Sequence, residues 1–102
     1  MAVRLWHDDK RPPPKGQGWT WARTNSEAQR LLASGDVSEV SLDYDMQSPH
    51  DTGLGLVRWM GAHPSRMPPK VEVHSLNPYG ARMLRNALRQ VRHRHAIHHH
   101  RR

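Results

Sequence analysis

Cysteine is absent from this chain, so it can build neither a disulfide framework nor a thiolate metal site, and a reducing compartment is permitted. Phenylalanine is absent too, while tryptophan occurs four times. Indole rings must therefore carry much of the apolar volume, and each brings an N–H that needs a partner. Only 35% of the residues are hydrophobic, below the usual level for a globular domain. At 102 residues that fits one domain with a thin core. No apolar run approaches the roughly 20 residues of a membrane span, and no signal-peptide pattern opens the chain; the expectation is a soluble cytoplasmic protein with no membrane partner. Acidic residues are missing altogether from Arg82 to Arg102. The formal charge of +7 is thus largely a C-terminal property. It favours polyanionic partners, nucleic acid first, or else marks a basic solubilising tail.

Against these absences, short alternating runs stand out. Val3 and Leu5 alternate with Arg4 and Trp6 over residues 2 to 6, the pattern of a strand with one better-buried face. Pro12, Pro13, Pro14, Gly16 and Gly18 then forbid a helix. Residues 19 to 22 read as a second strand, rich in aromatic and β-branched side chains. Thr24 and Glu27 form a capping box for a helix with Ala28, Leu31 and Leu32 on one face, stopped at Gly35. Residues 37 to 42 give a third strand, followed by a loop turned at Pro49. Residues 53 to 62 read as a helix that its glycines weaken, and residues 70 to 74 as a fourth strand. From Pro78, Leu84, Ala87, Leu88 and Val91 make an apolar stripe, with Arg82, Arg85, Arg89 and Arg92 on a separate one. Helices that follow strands predict a mainly parallel α/β sheet.

In such a sheet, ligands sit beyond the carboxyl ends of the strands, where strand order reverses. If the first strand lies beside the third, as in flavodoxin-like order, three strand ends meet there. They carry Asp8 and Asp9, then Asp43 and Asp45, then His74, Ser75 and Asn77. Gathered carboxylates hold a hard cation such as Mg²⁺, or another divalent ion, together with waters and a phosphate. Isolated aspartates at strand ends more often make turns. Arg11 offers a fork for a phosphate oxygen, and Asn77-Pro78 begins a helix whose N-terminus favours an anion. The reading is that Asp8, Asp9, Asp43 and Asp45 hold metal, Arg11, Ser75 and Asn77 grip phosphate, and a carboxylate such as Asp43, or His74, moves a proton.

Four stretches carry a resemblance: LWHDDKRPPP from Leu5, Gly18-Trp19 through Arg23-Thr24, Ser41-Leu42-Asp43-Tyr44-Asp45, and Val73-His74-Ser75-Leu76-Asn77-Pro78. In order, over about residues 3 to 91, they resemble the cyclic-phosphate-processing receiver-like domains, a divergent branch of the receivers of response regulators. The resemblance implies a flavodoxin/receiver-like fold of about four strands in order 2-1-3-4 with about three helices. It places Asp8 and Asp9 as the acidic pair, Asp43 at the phospho-acceptor position and Ser75 at the hydroxyl position. Asp45 falls where receivers lend a further metal ligand. The implied activity is handling of a terminal or 2′,3′-cyclic phosphate of RNA or a nucleotide, in RNA processing, by a metal-dependent phosphoesterase or cyclic phosphodiesterase. The first crossover helix is replaced by the Pro-rich loop, and the fifth strand, with its lysine, is missing along with the last helix. Phosphorelay signalling through Asp43 is therefore not expected.

With three helices, only one sheet face is covered by helix. The other, bearing Arg4, Trp6, Ser41, Glu72 and His74, is expected to be covered by a second copy, making a homodimer, or by the Pro-rich loop and the C-terminal tail. The domain is placed at residues 1–92 and a disordered basic His/Arg-rich tail at 93–102, whose histidines could bind a transition metal but to which no specific metal site is assigned. An alternative function is a non-catalytic basic adaptor that binds nucleic acid through Arg82, Arg85, Arg89 and Arg92, or a protein through the open sheet face.

Overall fold

The computed structural model describes residues 2–46 and 51–100, with side chains through Ile97. Pro49 and the side chains of His98 to His100 lie outside the described residues. The elements are β1 (Val3–His7), β2 (Trp19–Ala22), α1 (Asn25–Ala33), β3 (Val37–Leu42), α2 (Gly53–Ala62), a 3₁₀ turn at Pro64–Arg66, β4 (Lys70–Val73) and α3 (Pro78–His100). The strands form one sheet in the order β2-β1-β3-β4, all parallel. This is the expected receiver-like arrangement.

Chain direction decides which face each connection crosses. Parallel strands need right-handed crossovers. Passing from β1 outward to β2, then back across β1 to β3 and β4, puts the first crossover on the opposite face from the next two. The helical face buries Leu5 and His7 of β1, Ala22 of β2, and Val40 and Leu42 of β3. Against these pack Ala28 and Leu32 of α1, Leu56, Val57 and Met60 of α2, and Leu84, Leu88 and Val91 of α3. One core thus serves all three helices.

The other face is roofed by the Pro-rich loop, as the second of the two expectations had it in part; the C-terminal segment, expected there too, instead extends α3. Trp6 Nε1 donates to the Arg11 carbonyl at 2.8 Å, and the Arg4 guanidinium donates to the Gln17 carbonyl. Arg4 also lies over the Trp19 ring, 4.1 Å from its centroid, and Trp19 meets Trp6 edge to face at 5.6 Å. Trp6 is left 8% exposed within a single chain, so no second copy is needed to bury it.

Local chemistry explains the helix ends. Thr24 Oγ1 accepts from the Glu27 N–H at 3.0 Å, the N-cap half of the expected box. Removing that acceptor in Thr24→Ala is expected to cost about 1 kcal/mol, seen as a lower urea midpoint at unchanged slope. Gly35, at φ 83°, takes the left-handed position after Ser34 that ends α1. α3 runs further than expected. The segment from residue 93, anticipated as a disordered tail, continues the helix to His100. Neither Gly nor Pro interrupts residues 81 to 102, and the His95 ring Nε2 bonds the Gly61 carbonyl at 3.1 Å.

Candidate functional site

Backbone pairing carries on past the strands and fixes three chain ends in a row. Asp8 N–H donates to the Ala22 carbonyl at 3.1 Å, Asp43 N–H to the His7 carbonyl at 3.0 Å, and His74 N–H to the Leu42 carbonyl at 2.9 Å. The side chains of Asp8, Asp43 and His74 consequently face one another, with one potential ligand atom from each lying within 4.8 Å of the others. The turn beyond β1 and the loop beyond β3 complete an open pocket of about 450 Å³, whose wall includes Asp8, Asp9, Arg11, Asp43, Asp45 and Leu76.

Asp8 is the most heavily bonded of these groups. Its Oδ1 accepts the Lys10 N–H at 2.9 Å and the Arg11 N–H at 2.7 Å. Its Oδ2 lies 3.0 Å from His74 Nε2 and 3.6 Å from Arg11 Nε. Burial opposes its ionisation, but the two backbone N–H groups and His74 outweigh that and hold its pKa below the ordinary value.

His74 is clamped on three sides. Its Nδ1 sits 2.7 Å from Ser41 Oγ, its Nε2 meets Asp8, and its ring stacks on Trp6 at 3.8 Å and 7°. Burial lowers its pKa despite the Asp8 carboxylate, so near neutral pH the ring is neutral. The network assigns its proton to Nε2, donated to Asp8, with Nδ1 accepting the Ser41 hydroxyl. Arg11 closes the set by donating from Nη2 to the His74 carbonyl at 3.0 Å.

Asp43 is the strained member. Its Oδ1 accepts the Tyr44 N–H at 2.9 Å, and the Ser75 hydroxyl bonds the same carboxylate. Burial, and then the negative charge of Asp8, still push its pKa up to about 6. Beneath it lies a group the sequence reading did not single out. His7 is fully buried, with Nε2 2.6 Å from Asn25 Oδ1. The Asn25 amide donates to Asp51 and, at 3.0 Å, to the Thr52 carbonyl. That amide orientation leaves His7 Nε2 as the donor and Nδ1 as an acceptor facing the Asp43 N–H at 3.4 Å. The signal in the sequence was a polar ring at a core-facing position of β1.

The remaining expected residues are placed as follows. Asp9 is buried at the pocket wall, and its backbone carbonyl is held by Arg23 at 3.0 Å. Asp45 is exposed at the rim, where the Asn77 amide reaches its Oδ2 at 3.4 Å. Asn77 Oδ1 caps α3 by accepting the Gly80 N–H at 3.1 Å, so both ends of its amide are engaged. Ser75 lies between Asp43 and a neighbouring depression along α3. Arg82, Arg85, Arg89 and Arg92 are exposed along α3, outside the acidic pocket.

The donor set suits a hard divalent cation. Four carboxylates against Lys10 and Arg11 leave the pocket wall with two surplus negative charges. A carboxylate offers about four lone-pair sites; three of those on Asp8 are taken, and two on Asp43. The free sites are oxygens, because both nitrogens of His74 are already bonded, and oxygen donors are what Mg²⁺ and Ca²⁺ take. Ligands on opposite sides of one such ion stand about 4–5 Å apart, comparable to the 4.8 Å span here.

Compared with known proteins, the chain matches one family model over residues 3–90, that of the cyclic-phosphate processing receiver domain. No curated protein and no solved structure matches it.

Proposed function

This chain belongs to the cyclic-phosphate processing receiver domain family, and from that premise we propose that its acidic pocket binds and processes a phosphate group with the help of Mg²⁺ or another divalent cation. The substrate is a terminal or 2′,3′-cyclic phosphate of RNA or a nucleotide. The observation that carries the reading is the meeting of Asp8, Asp43 and His74 within 4.8 Å at the end of a parallel sheet. Asp8 and Asp43 would hold the ion, with Asp9 and Asp45 on the wall. When bound, the ion supplies charge neutralisation at the phosphoryl oxygens.

The chain's own groups do the rest. Arg11, fixed by its bonds to Asp8 and His74, presents a cation to a phosphate oxygen, and Ser75 adds a hydroxyl. In the metal-free protein Asp43 ionises near pH 6, so at neutral pH it is a carboxylate able to accept a proton from water. Opening a cyclic phosphate forms one water–phosphorus bond and breaks one ribose–phosphorus bond. Asp43 accepts the proton of the water and returns it to the departing ribose oxygen, while His74, donating its Nε2–H to Asp8, holds that carboxylate in place.

Incubation with 2′,3′-cyclic nucleotides is expected to yield the monophosphate, or at least binding that EDTA abolishes. Absence of both, in wild type as in Asp43→Ala, removes the proposal. A second reading has its own observation, the four arginines of α3 that stand outside the ion pairs of the described residues. A basic adaptor would bind nucleic acid with steep salt dependence, and Asp43→Ala would leave that binding intact.

A further inference from the structure

Beside the acidic pocket lies a depression of about 580 Å³ whose wall includes Ser75, Leu76, Arg82, Arg85 and Arg89. A further hollow of about 400 Å³ continues it between α3 and β4, sharing Arg85 and Arg89 and adding Arg92. Leu76 is wall to both the acidic pocket and the first depression, so the two hollows adjoin at that residue. Arg82, Arg85, Arg89 and Arg92 follow successive turns of α3 and span about 15 Å of helix axis. At about 3.4 Å per nucleotide, that length serves about four phosphates of a stacked single strand.

Other features of the channel agree with a polyanionic strand. The ion pairs formed among the described residues are Arg4–Glu39, Arg11–Asp8, Lys70–Glu39, Lys70–Glu72 and His74–Asp8. All four α3 arginines are left out of them. Glu72 is the one acidic residue lining either hollow, and Lys70 neutralises it at 3.8 Å. Asn86 bonds the Arg89 guanidinium, and the Pro69 carbonyl accepts from Arg92 at 3.4 Å, which orients these side chains. At the junction with the acidic pocket, Leu76 is 79% exposed, apolar surface on which a terminal base can rest.

We infer that these hollows are a track for single-stranded RNA, which lies along α3 with its terminal phosphate entering the acidic pocket past Leu76. The inference rests on the phosphate reading of that pocket and goes further, because it makes the substrate an oligonucleotide end rather than a free nucleotide. Guanidinium forks match phosphate oxygens and stack on bases. An acidic protein segment would use the charge but not the phosphate site at the end of the track.

The test uses oligoadenylates of one, two, four and eight nucleotides, ending either in a 2′,3′-cyclic phosphate or in a 3′-hydroxyl, with affinity read by competition at several salt concentrations. Affinity is expected to rise at least tenfold between one and four nucleotides and then level off. The salt slope of the octamer should exceed that of the mononucleotide by about 2, from three further phosphates at about 0.7 each. In Arg85→Glu/Arg89→Glu, melting at an unchanged temperature, the octamer should lose at least tenfold in affinity and about 1.4 in slope. Equal affinity for mononucleotide and octamer overturns the track, as does a length dependence that survives the double variant. Competition by polyglutamate as strong as that by RNA of equal charge overturns it in favour of a protein partner. Length dependence without preference for the cyclic end sinks the phosphate reading and leaves the track, whereas that preference without length dependence does the reverse.

Discussion

Asp43→Asn is expected to make the metal-free protein more stable at pH 7 while abolishing its response to divalent cations. Asp43 is 7% exposed, close to Asp8, and its pKa is raised to about 6 by burial first and by the Asp8 charge second. An acid whose folded pKa lies above its unfolded value lends stability that is complete below the unfolded value, about 3.9, and is lost as pH rises through the folded one. The wild type thus forfeits roughly 1–3 kcal/mol between about pH 4 and pH 6, and the neutral amide does not. Asp8 and Glu39, whose pKa values are lowered, act in the opposite sense. They are common to both proteins, so the difference between variant and wild type isolates Asp43.

Urea unfolding at pH 4 and pH 7 measures that difference, and it should widen with pH. Adding Mg²⁺ at about a hundred times its dissociation constant stabilises a binding protein by about 2.7 kcal/mol, or roughly 10–20 °C in melting temperature for a domain of this size. The variant should show almost none of this, and turnover of a cyclic phosphate should fall at least about a hundredfold. A variant that is no more stable without metal, yet still responds to Mg²⁺, would place the cation elsewhere.

Gly53→Ala should do the reverse of what helix propensity foretells. A glycine replaced by alanine in a helix commonly gains about 1 kcal/mol. Gly53, however, opens α2 directly against the loop that carries Asp43, with its N–H donating to the Tyr44 carbonyl at 2.9 Å. A Cβ there would run into the backbone carbonyl of Asp43, with the Leu84 side chain at 3.2 Å beyond it. Backbone cannot swing aside as a flexible side chain can. The expected cost is about 2–4 kcal/mol, together with a displaced Asp43 and weakened cation binding. Gly16→Ala is the contrast: a Cβ there meets nothing within 4 Å, so only its left-handed backbone opposes the change. Matching melting temperatures for wild type and Gly53→Ala would show that the loop yields more easily than the close contact implies.

The glycines of α2 show why part of this molecule was legible in the sequence and part was not. Alternation, caps and breakers are local, and they placed all four strands and the starts of all three helices within a residue or so. Parallel topology, with the first strand taken beside the third as in flavodoxin-like order, brought the strand ends together, so the convergence of Asp8 with Asp43 and His74 could be foreseen. What these side chains bond to could not. His74 reaches Asp8 across 66 positions of sequence and Ser41 across 33, and nothing in the local pattern says that its nitrogens are both engaged. Asn77 was read as a phosphate ligand, but a helix start makes equal use of its carbonyl oxygen as a cap. The Pro-rich loop was correctly denied helical form, yet its function as the roof over Trp6 depends on the hand of the crossover. The length of α3 was underestimated because a run of Arg and His carries no apolar stripe, although nothing in it breaks a helix.

Among the described residues β4 is an edge of the sheet, and an edge strand displays a row of peptide groups of the kind that recruits other chains into fibrils. That hazard is met within the strand itself. Pro68 and Pro69 precede it, it is four residues long, and it alternates Lys70 and Glu72 with its two valines. Proline, brevity and charge of both signs make a poor template for edge-to-edge growth. An edge of this make-up does not become a seed for aggregation.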